Sequence, residues 1–342
     1  MTDTGDTTRD LLRETATRQF QDLCQPAAQR AAESGIWPAE MWHAVAETGL
    51  PKALVPEAAG GHGVDFADAM VIVRAAGHHA LPLPLPETML AGWLLARAGL
   101  PVPDGPLTVA FGADLTLLPT LSGFAPRVPW ARDAAAIVAM DSAGRVALLL
   151  RDALQIEPGR NVAGEPRDLV RPAGRVTISG DARLDLVTLR AVGAAFRAQQ
   201  IAGALERLTE MTVQYALDRS QFGRPLGKFQ AVQQTLAVLA GHTAAACAAA
   251  DMAAEAVHEA IHLLPIAAAK ARCGEAAGIG AAIAHQVHGA MGFTHEHSLH
   301  FLTKRLWSWR DEFGNETVWN RLLGHHMARA GADRFWTEIT AV

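Results

Sequence analysis

Asp218-Arg219-Ser220-Gln221-Phe222-Gly223-Arg224-Pro225-Leu226-Gly227-Lys228-Phe229-Gln230 is the stretch on which the fold turns. The run before it places Leu205, Leu208, Val213 and Leu217 at helical spacing, with Glu206, Arg207 and Glu210 between them. Gly223, Pro225 and Gly227 then fall close together, which a helix interior tolerates poorly. A second apolar-periodic run follows through Val232, Leu236, Val238 and Leu239. A polar, partly cationic loop between two buried helices presents Arg219, Gln221 and Gln230 outward. A guanidinium and fixed amides suit a diphosphate and its adjoining sugar. A capped helix–helix turn with an Arg ion pair accounts for the same residues equally well.

At 342 residues the chain is too long for one small core, so two or three packed units are expected. Half of it is apolar, Ala is abundant and aromatics are few, which favours closely packed helices over a β-sandwich. The formal charge of −5 is spread with both signs interspersed, which argues against a nucleic-acid surface or a polybasic membrane patch. Cys24, Cys247 and Cys273 are widely spaced and form no metal pattern. They fit a reduced, cytoplasmic protein. Met1 to Asp10 is polar, without the apolar core of a secretory signal, and no window reads as long enough in apolar residues to span a membrane.

Three segments differ in pattern. Residues 1–100 read as a helical domain. Its helices cover Arg9 to Glu33 with a break at Pro26, Met41 to Ala46 ending at Gly49, Phe66 to His79, and Glu87 to Leu100. Between them, Leu54-Val55-Pro56-Glu57-Ala58-Ala59-Gly60-Gly61-His62-Gly63 is a loop whose glycines permit positive φ and close backbone approach. Residues 101–187 read as a small β domain, with runs at Leu107–Phe111, Ala135–Met140, Arg145–Leu150, Arg175–Ile178 and Leu184–Val187. Residues 188–342 read as a bundle of long Ala-rich helices. These are Leu189 to Leu217, Phe229 to Ala260, and Ile266 to Val287 after Leu263-Leu264-Pro265, the last with Lys270 and Arg272 on one face.

The third helix closes on Gln286-Val287-His288-Gly289-Ala290-Met291-Gly292-Phe293-Thr294-His295-Glu296. Gly289 and Gly292 allow close backbone approach to a ligand, and Gln286 offers an amide. His285, His288, His295, His297 and His300 crowd the same region without an HExxH or CxxC arrangement, so no metal site is expected.

Arg219-Ser220-Gln221-Phe222-Gly223 with Gln230 resembles the R-x-x-F-G…Q signature of the acyl-CoA dehydrogenase family. Gln286 to Glu296 resembles its Q-x-x-G-G-x-G-F-x-x-E, with Ala290 in place of the second Gly. The glycine loop of residues 54–63 is similar to its N-terminal domain. The resemblance implies a mainly α, three-part fold: an N-terminal helical domain, a small central β domain and a C-terminal four-helix-type bundle. It implies FAD as cofactor, contacted by Arg219, Gln221, Phe222, Leu226 and Gln230. Gln286, Gly289, Ala290 and Asn315 would join them, the Gln286 segment reaching across a subunit interface to a neighbour's ADP half. The implied substrate is an acyl-CoA thioester, and the implied acceptor an electron-transfer flavoprotein. The implied assembly is a homodimer, a homotetramer, or a heteromer with a second chain of the family. The family's Thr-Glu-Pro and Gly-Ser-Asp motif of the middle domain has no counterpart here. Val128-Pro129-Trp130 falls where the family sets a Trp beside the flavin, although an ordinary strand aromatic is the favoured reading of Trp130.

The resemblance implies an acyl-CoA dehydrogenase-type flavoprotein that carries out FAD-dependent α,β-dehydrogenation of an acyl-CoA thioester, with a base-less companion subunit as the alternative; the reaction needs a carboxylate base to take the α proton. Laid on the family motif, Phe313 occupies the usual base position before Gly314, and the alternative position on the preceding helix falls near Gly193. A slip of one residue would bring Glu312 in. Asp311 or Glu316 would act from another angle. A third alternative is a base-less companion, as in short heteromeric members of the family that degrade sterols.

Overall fold

The computed structural model describes residues 5–118, 121–172, 176, 178–258 and 260–340. The fold is mainly helical. The chain divides into two compact units, residues 1–76 with 81–189 and residues 77–80 with 190–342.

The first unit opens with α1 (Gly5–Leu23), α2 (Pro26–Glu33), α3 (Ala39–Glu47), α4 (Phe66–His78) and α5 (Leu85–Arg97). Pro26 separates α1 from α2 by standing in the first turn of α2, where its missing N–H costs nothing. Pro86 sits in the first turn of α5, so that helix begins at Leu85, ahead of the Glu87 expected from sequence. In the glycine loop Gly60 and Gly63 take φ of 83° and 59°. Gly61 is required by space: a Cβ there would lie 2.2 Å from the Val55 carbonyl oxygen.

Among the described residues nine short strands follow: β1 (Leu107–Phe111), β2 (Leu115–Thr116), β3 (Ser122–Gly123), β4 (Ala125–Pro129), β5 (Ala136–Met140), β6 (Arg145–Leu150), β7 (Leu154–Glu157), β8 (Arg167–Pro172) and β9 (Ser179–Asp181). One sheet has the order β1-β5-β6-β9, with β1 and β5 parallel and the other pairs antiparallel. A second, antiparallel sheet has the order β4-β8-β7. Alternate residues of the first sheet (Ile137, Ala139, Ala147, Leu149) share a core with Ala125, Val128 and Val170 of the second. Buried Asp168 pins the second sheet, accepting from the backbone N–H of Arg132 at 2.9 Å and of Gly159 at 3.0 Å as well as from the Arg132 guanidinium. Trp130 is buried edge-on to Trp37, ring centroids 6.1 Å apart.

Two strand expectations need comment. Leu184–Val187 is not a strand: α6 already starts at Leu186, because Asp185 Oδ1 accepts the Thr188 N–H at 2.7 Å and caps the helix. In the Arg175–Ile178 run, Arg175 and Thr177 lie outside the described residues.

The second unit is built on α6 (Leu186–Asp218), the hairpin β10 (Ser220–Gln221) and β11 (Arg224–Pro225), α7 (Gln230–Glu255), α8 (Leu263–His288), α9 (Leu299–Asp311), α10 (Glu316–Ala330) and α11 (Phe335–Thr340). Pro265 does not break a helix but stands in the first turn of α8. Ala198, Ala202 and Leu205 of α6 share one core with Ala246 and Ala250 of α7, Ala276 and Ala277 of α8, and Leu306 and Trp309 of α9. Small side chains let these helices approach closely: a Cβ on Gly280 would lie 2.7 Å from Leu205 Cδ2.

Two further expectations are corrected here. Lys270 and Arg272 do not share a face, since residues two apart on a helix point about 200° apart. Lys270 is fully buried and Arg272 half-exposed. By length and composition α7 does reach the apolar requirement of a membrane span, and 28% of its most apolar window is buried. Its apolarity comes from Ala, which adds no polar atoms and little bulk, and the helix still carries His242, Thr243 and Asp251.

Candidate functional site

The loop after α6 folds as a two-residue hairpin. Ser220 pairs with Pro225 and Gln221 with Arg224, leaving Phe222 and Gly223 at the tip with φ of 50° and 80°. Two successive positive φ values are the requirement of a type I′ turn, which Gly meets without strain and Phe does not. The turn is tied to its neighbours by Arg219 N–H donating to Tyr215 O at 2.9 Å and Leu226 N–H donating to Arg219 O at 2.8 Å. The Arg224 guanidinium lies 4.2 Å from the Phe229 ring centroid. Phe222 itself is 91% exposed.

Beside this hairpin is a cavity of about 450 Å³ in which the two sequence motifs meet. Arg219, Gln221 and Leu226 line it from one side, and Gln286, Gly289 and Ala290 from the other. Ala231, Val232 and Thr235, from the first turns of α7, complete it with Tyr215, Val287, His288 and Met291. Among the described residues of that lining Arg219 carries the one full charge. A helix N-terminus beside a guanidinium favours an anion. Neither Arg219 nor Gln286 spends its side chain on another described residue, so both are available to a ligand. The apolar part of the wall suits a flat ring or a sugar edge.

Tyr215 and His288 join the two motifs. Their rings stack with centroids 4.3 Å apart and planes at 29°. The Tyr215 hydroxyl donates to the His288 carbonyl at 3.3 Å. His288 Nδ1 lies 2.8 Å from the Ala284 carbonyl, so Nδ1 carries the proton, and buried Nε2 has no partner among the described residues. Burial lowers the His288 pKa below its ordinary value, with smaller contributions from His297 and His285 in the same direction.

The second candidate region is the loop after α9. The Phe313 ring rests on Gly193 of α6, where a Cβ would come within 2.1 Å of Phe313 Cδ1. Phe313 holds φ of 56°, a strained value for a non-Gly residue. Glu312, 10% exposed, accepts from Arg197 Nη2 at 2.7 Å and from Arg197 Nε at 2.8 Å. Arg197 is itself buried, contacts Gln200 through Nη1 and lies 5.6 Å from the Phe313 ring centroid. Behind the loop, Lys270 Nζ donates to Arg310 O at 2.6 Å and to Gly314 O at 2.8 Å. Desolvation lowers its pKa to about 8, the Glu316 and Glu312 carboxylates opposing. Glu316 accepts from Arg310 at 2.6 Å and packs over Gly274.

Of the residues expected from sequence, Arg219, Gln221, Leu226, Gln286, Gly289 and Ala290 come together around one cavity. Phe222, Gln230 and Asn315 stand outside that lining: Phe222 at the hairpin tip, Gln230 as the first residue of α7, and Asn315 as the N-cap of α10, accepting from Val318 N–H. Glu312 is committed to Arg197. Sequence reading missed Tyr215, Thr235 and His288. Tyr215 was legible in hindsight, as the chain's only tyrosine and one helical turn before Arg219.

Similarity to known proteins extends over both regions. The family model for the acyl-CoA dehydrogenase N-terminal domain matches residues 6–101, and that for the C-terminal domain matches residues 191–324. A curated relative, acyl-CoA dehydrogenase IpdE2 of Mycobacterium tuberculosis, is 31% identical over 308 residues, covering 87% of this chain and 90% of its own. Among solved structures, the ChsE4-ChsE5 complex from Mycobacterium tuberculosis matches with TM-score 0.84 at 24% identity, over 97% of this chain and 99% of that one. The Tcur3481-Tcur3483 steroid ACAD G363A variant matches with TM-score 0.87 at 24% identity, over 96% and 99%. At that identity the two structures speak for the fold alone. The matched domains, the relative aligned along most of both chains, and two motifs closing on one cavity make this chain a member of the acyl-CoA dehydrogenase family.

Proposed function

We propose that the chain is a flavin-holding, base-less subunit of a heteromeric acyl-CoA dehydrogenase. The FAD-dependent α,β-dehydrogenation of an acyl-CoA thioester is then the activity of an assembly in which another chain supplies the base. One observation carries this reading. The two positions where the family keeps its base, 313 and 193 by motif, converge on one volume, and that volume holds a phenyl ring packed on a bare glycine. The carboxylate next to Phe313 in the chain, Glu312, is held in a buried ion pair with Arg197. A carboxylate so paired has its charged form stabilised and is a poor acceptor for a carbon-bound proton. Loss of a general base removes about two to four orders of magnitude in rate.

The residues present fit FAD. Arg219, with Gln221 and Gln286, would hold its diphosphate and adjoining ribose, and the α7 N-terminus would add its dipole. When bound, the flavin supplies the acceptor for the β hydride. In the family the Gln286 segment serves a neighbouring chain's flavin. The Arg219 arm lines the same cavity, so both arms would serve one flavin, shared with a neighbouring chain. The missing Thr-Glu-Pro and Gly-Ser-Asp motif supports the same division of labour. An electron-transfer flavoprotein is the proposed acceptor, and a thioester with a bulky ring the proposed substrate class.

The test is flavin content after purification with the partner chain, for the wild type, Arg219→Ala and Gln286→Ala. Both substitutions are expected to strip flavin while leaving the thermal midpoint within a degree or two. Full flavin retention in both variants would remove the cavity from the reading.

A further inference from the structure

We infer that Tyr215 and His288 form a clasp that sets the spacing between the two cofactor-holding motifs, making them positioning residues for the diphosphate-bearing cofactor. The inference rests on the flavin reading above and adds to it residues that make no charged contact of their own. Tyr215 lies one helical turn before Arg219, and its backbone carbonyl accepts the Arg219 N–H at 2.9 Å. His288 lies between Gln286 and Gly289, where α8 ends. Ring stacking at 4.3 Å and the hydroxyl-to-carbonyl bond at 3.3 Å therefore join the element bearing the guanidinium to the element bearing the amide. Both residues line the cavity.

The clasp requires neutral His288. Nδ1–H is directed at the Ala284 carbonyl, and Nε2 is buried without an acceptor, so a second ring proton would have nowhere to bond. The titratable groups facing it are Tyr215 from α6, His297 from the turn before α9 and His285 on its own helix, and none of these three is a carboxylate. Because the folded-state pKa is lowered below the ordinary 6.5, His288 stays neutral at that pH and takes its second proton only below it. The clasp weakens as pH falls further, in the range below 6.5.

The experiment measures FAD affinity by flavin fluorescence in the purified assembly, from pH 5.5 to 8, with thermal midpoints alongside. The variants are Tyr215→Phe, His288→Ala and His288→Phe. Tyr215→Phe keeps the stack and loses one hydrogen bond, so a weakening of about fivefold is expected. His288→Ala loses the stack as well, and about tenfold or more is expected. His288→Phe restores the stack without a titrating ring. Its affinity should return to within about threefold of wild type, and its pH profile should be flatter below 6.5. Wild-type affinity in both His288→Ala and Tyr215→Phe would overturn the clasp and leave the flavin reading standing. So would losses of affinity that track lost thermal stability with no rescue by Phe. A wild-type assembly that binds no FAD would overturn both.

Discussion

At the scale of single residues, the loop after α9 is held by buried charges, and each has a consequence. Lys270 has its pKa lowered from 10.5 to about 8 by desolvation. Between those two values the unfolded chain binds more protons than the folded one, so stability rises with pH across that window. Chemical denaturation at pH 8 and pH 10 should show the wild type gaining stability at the higher pH relative to Lys270→Met, in which this contribution is absent. An equal change in both would mean that Lys270 is not the group responsible. The Arg197–Glu312 pair is buried on both sides, with 2% and 10% of the side chains exposed. Removing one partner of such a pair strands a charge and costs about 3–5 kcal/mol. Arg197→Met is therefore expected to lower the denaturation midpoint sharply, and Arg197→Met with Glu312→Gln to recover much of the loss. A purely additive double variant would show that the pair is not coupled. Neither Lys270 nor Arg197 was legible as a buried cation, because in sequence each sits among Ala and Gly like any exposed helix charge.

At the scale of elements, what was legible follows from which faces are buried. β1, β5 and β6 were found because their residues are almost all buried and read as continuous apolar runs. β4, β7 and β8 interleave Pro, Arg, Glu and Asp with their apolar residues and read as loop. Leu184–Val187 misled because its apolar residues begin a helix capped by Asp185. The hairpin after α6 was placed correctly by its glycines, but its strained tip was not foreseen. Phe222 at φ of 50° and 91% exposed gains little from its own chain. Phe222→Asn suits a type I′ turn and is expected to leave the thermal midpoint unchanged or raised while lowering flavin retention. A lowered midpoint with normal flavin content would show that Phe222 serves the fold. The contact between α6 and the loop after α9 has its own test. Gly193→Ala places a Cβ against the Phe313 ring and should cost about 1–3 kcal/mol, relieved by Phe313→Ala in the same chain.

At the scale of the whole molecule, the motif residues were legible by residue type and spacing, whereas the surroundings of Phe313 and Glu312 required three dimensions. Sequence alone set Phe313 and Gly193 far apart along the chain. In the fold the Phe313 ring packs directly on Gly193. The same holds for Glu312, an available carboxylate in sequence and an ion-paired one in the fold. The central claim, a chain that helps hold flavin but removes no proton, is tested most directly by an anaerobic titration. The purified assembly, loaded with FAD, is mixed with a panel of linear and ring-bearing acyl-CoA thioesters while the flavin absorbance is followed, for the wild type and for Glu312→Gln. The expected result is that any thioester that bleaches the wild-type flavin bleaches the variant's as well. Bleaching abolished by Glu312→Gln, with flavin still bound, would contradict the claim and make Glu312 the base.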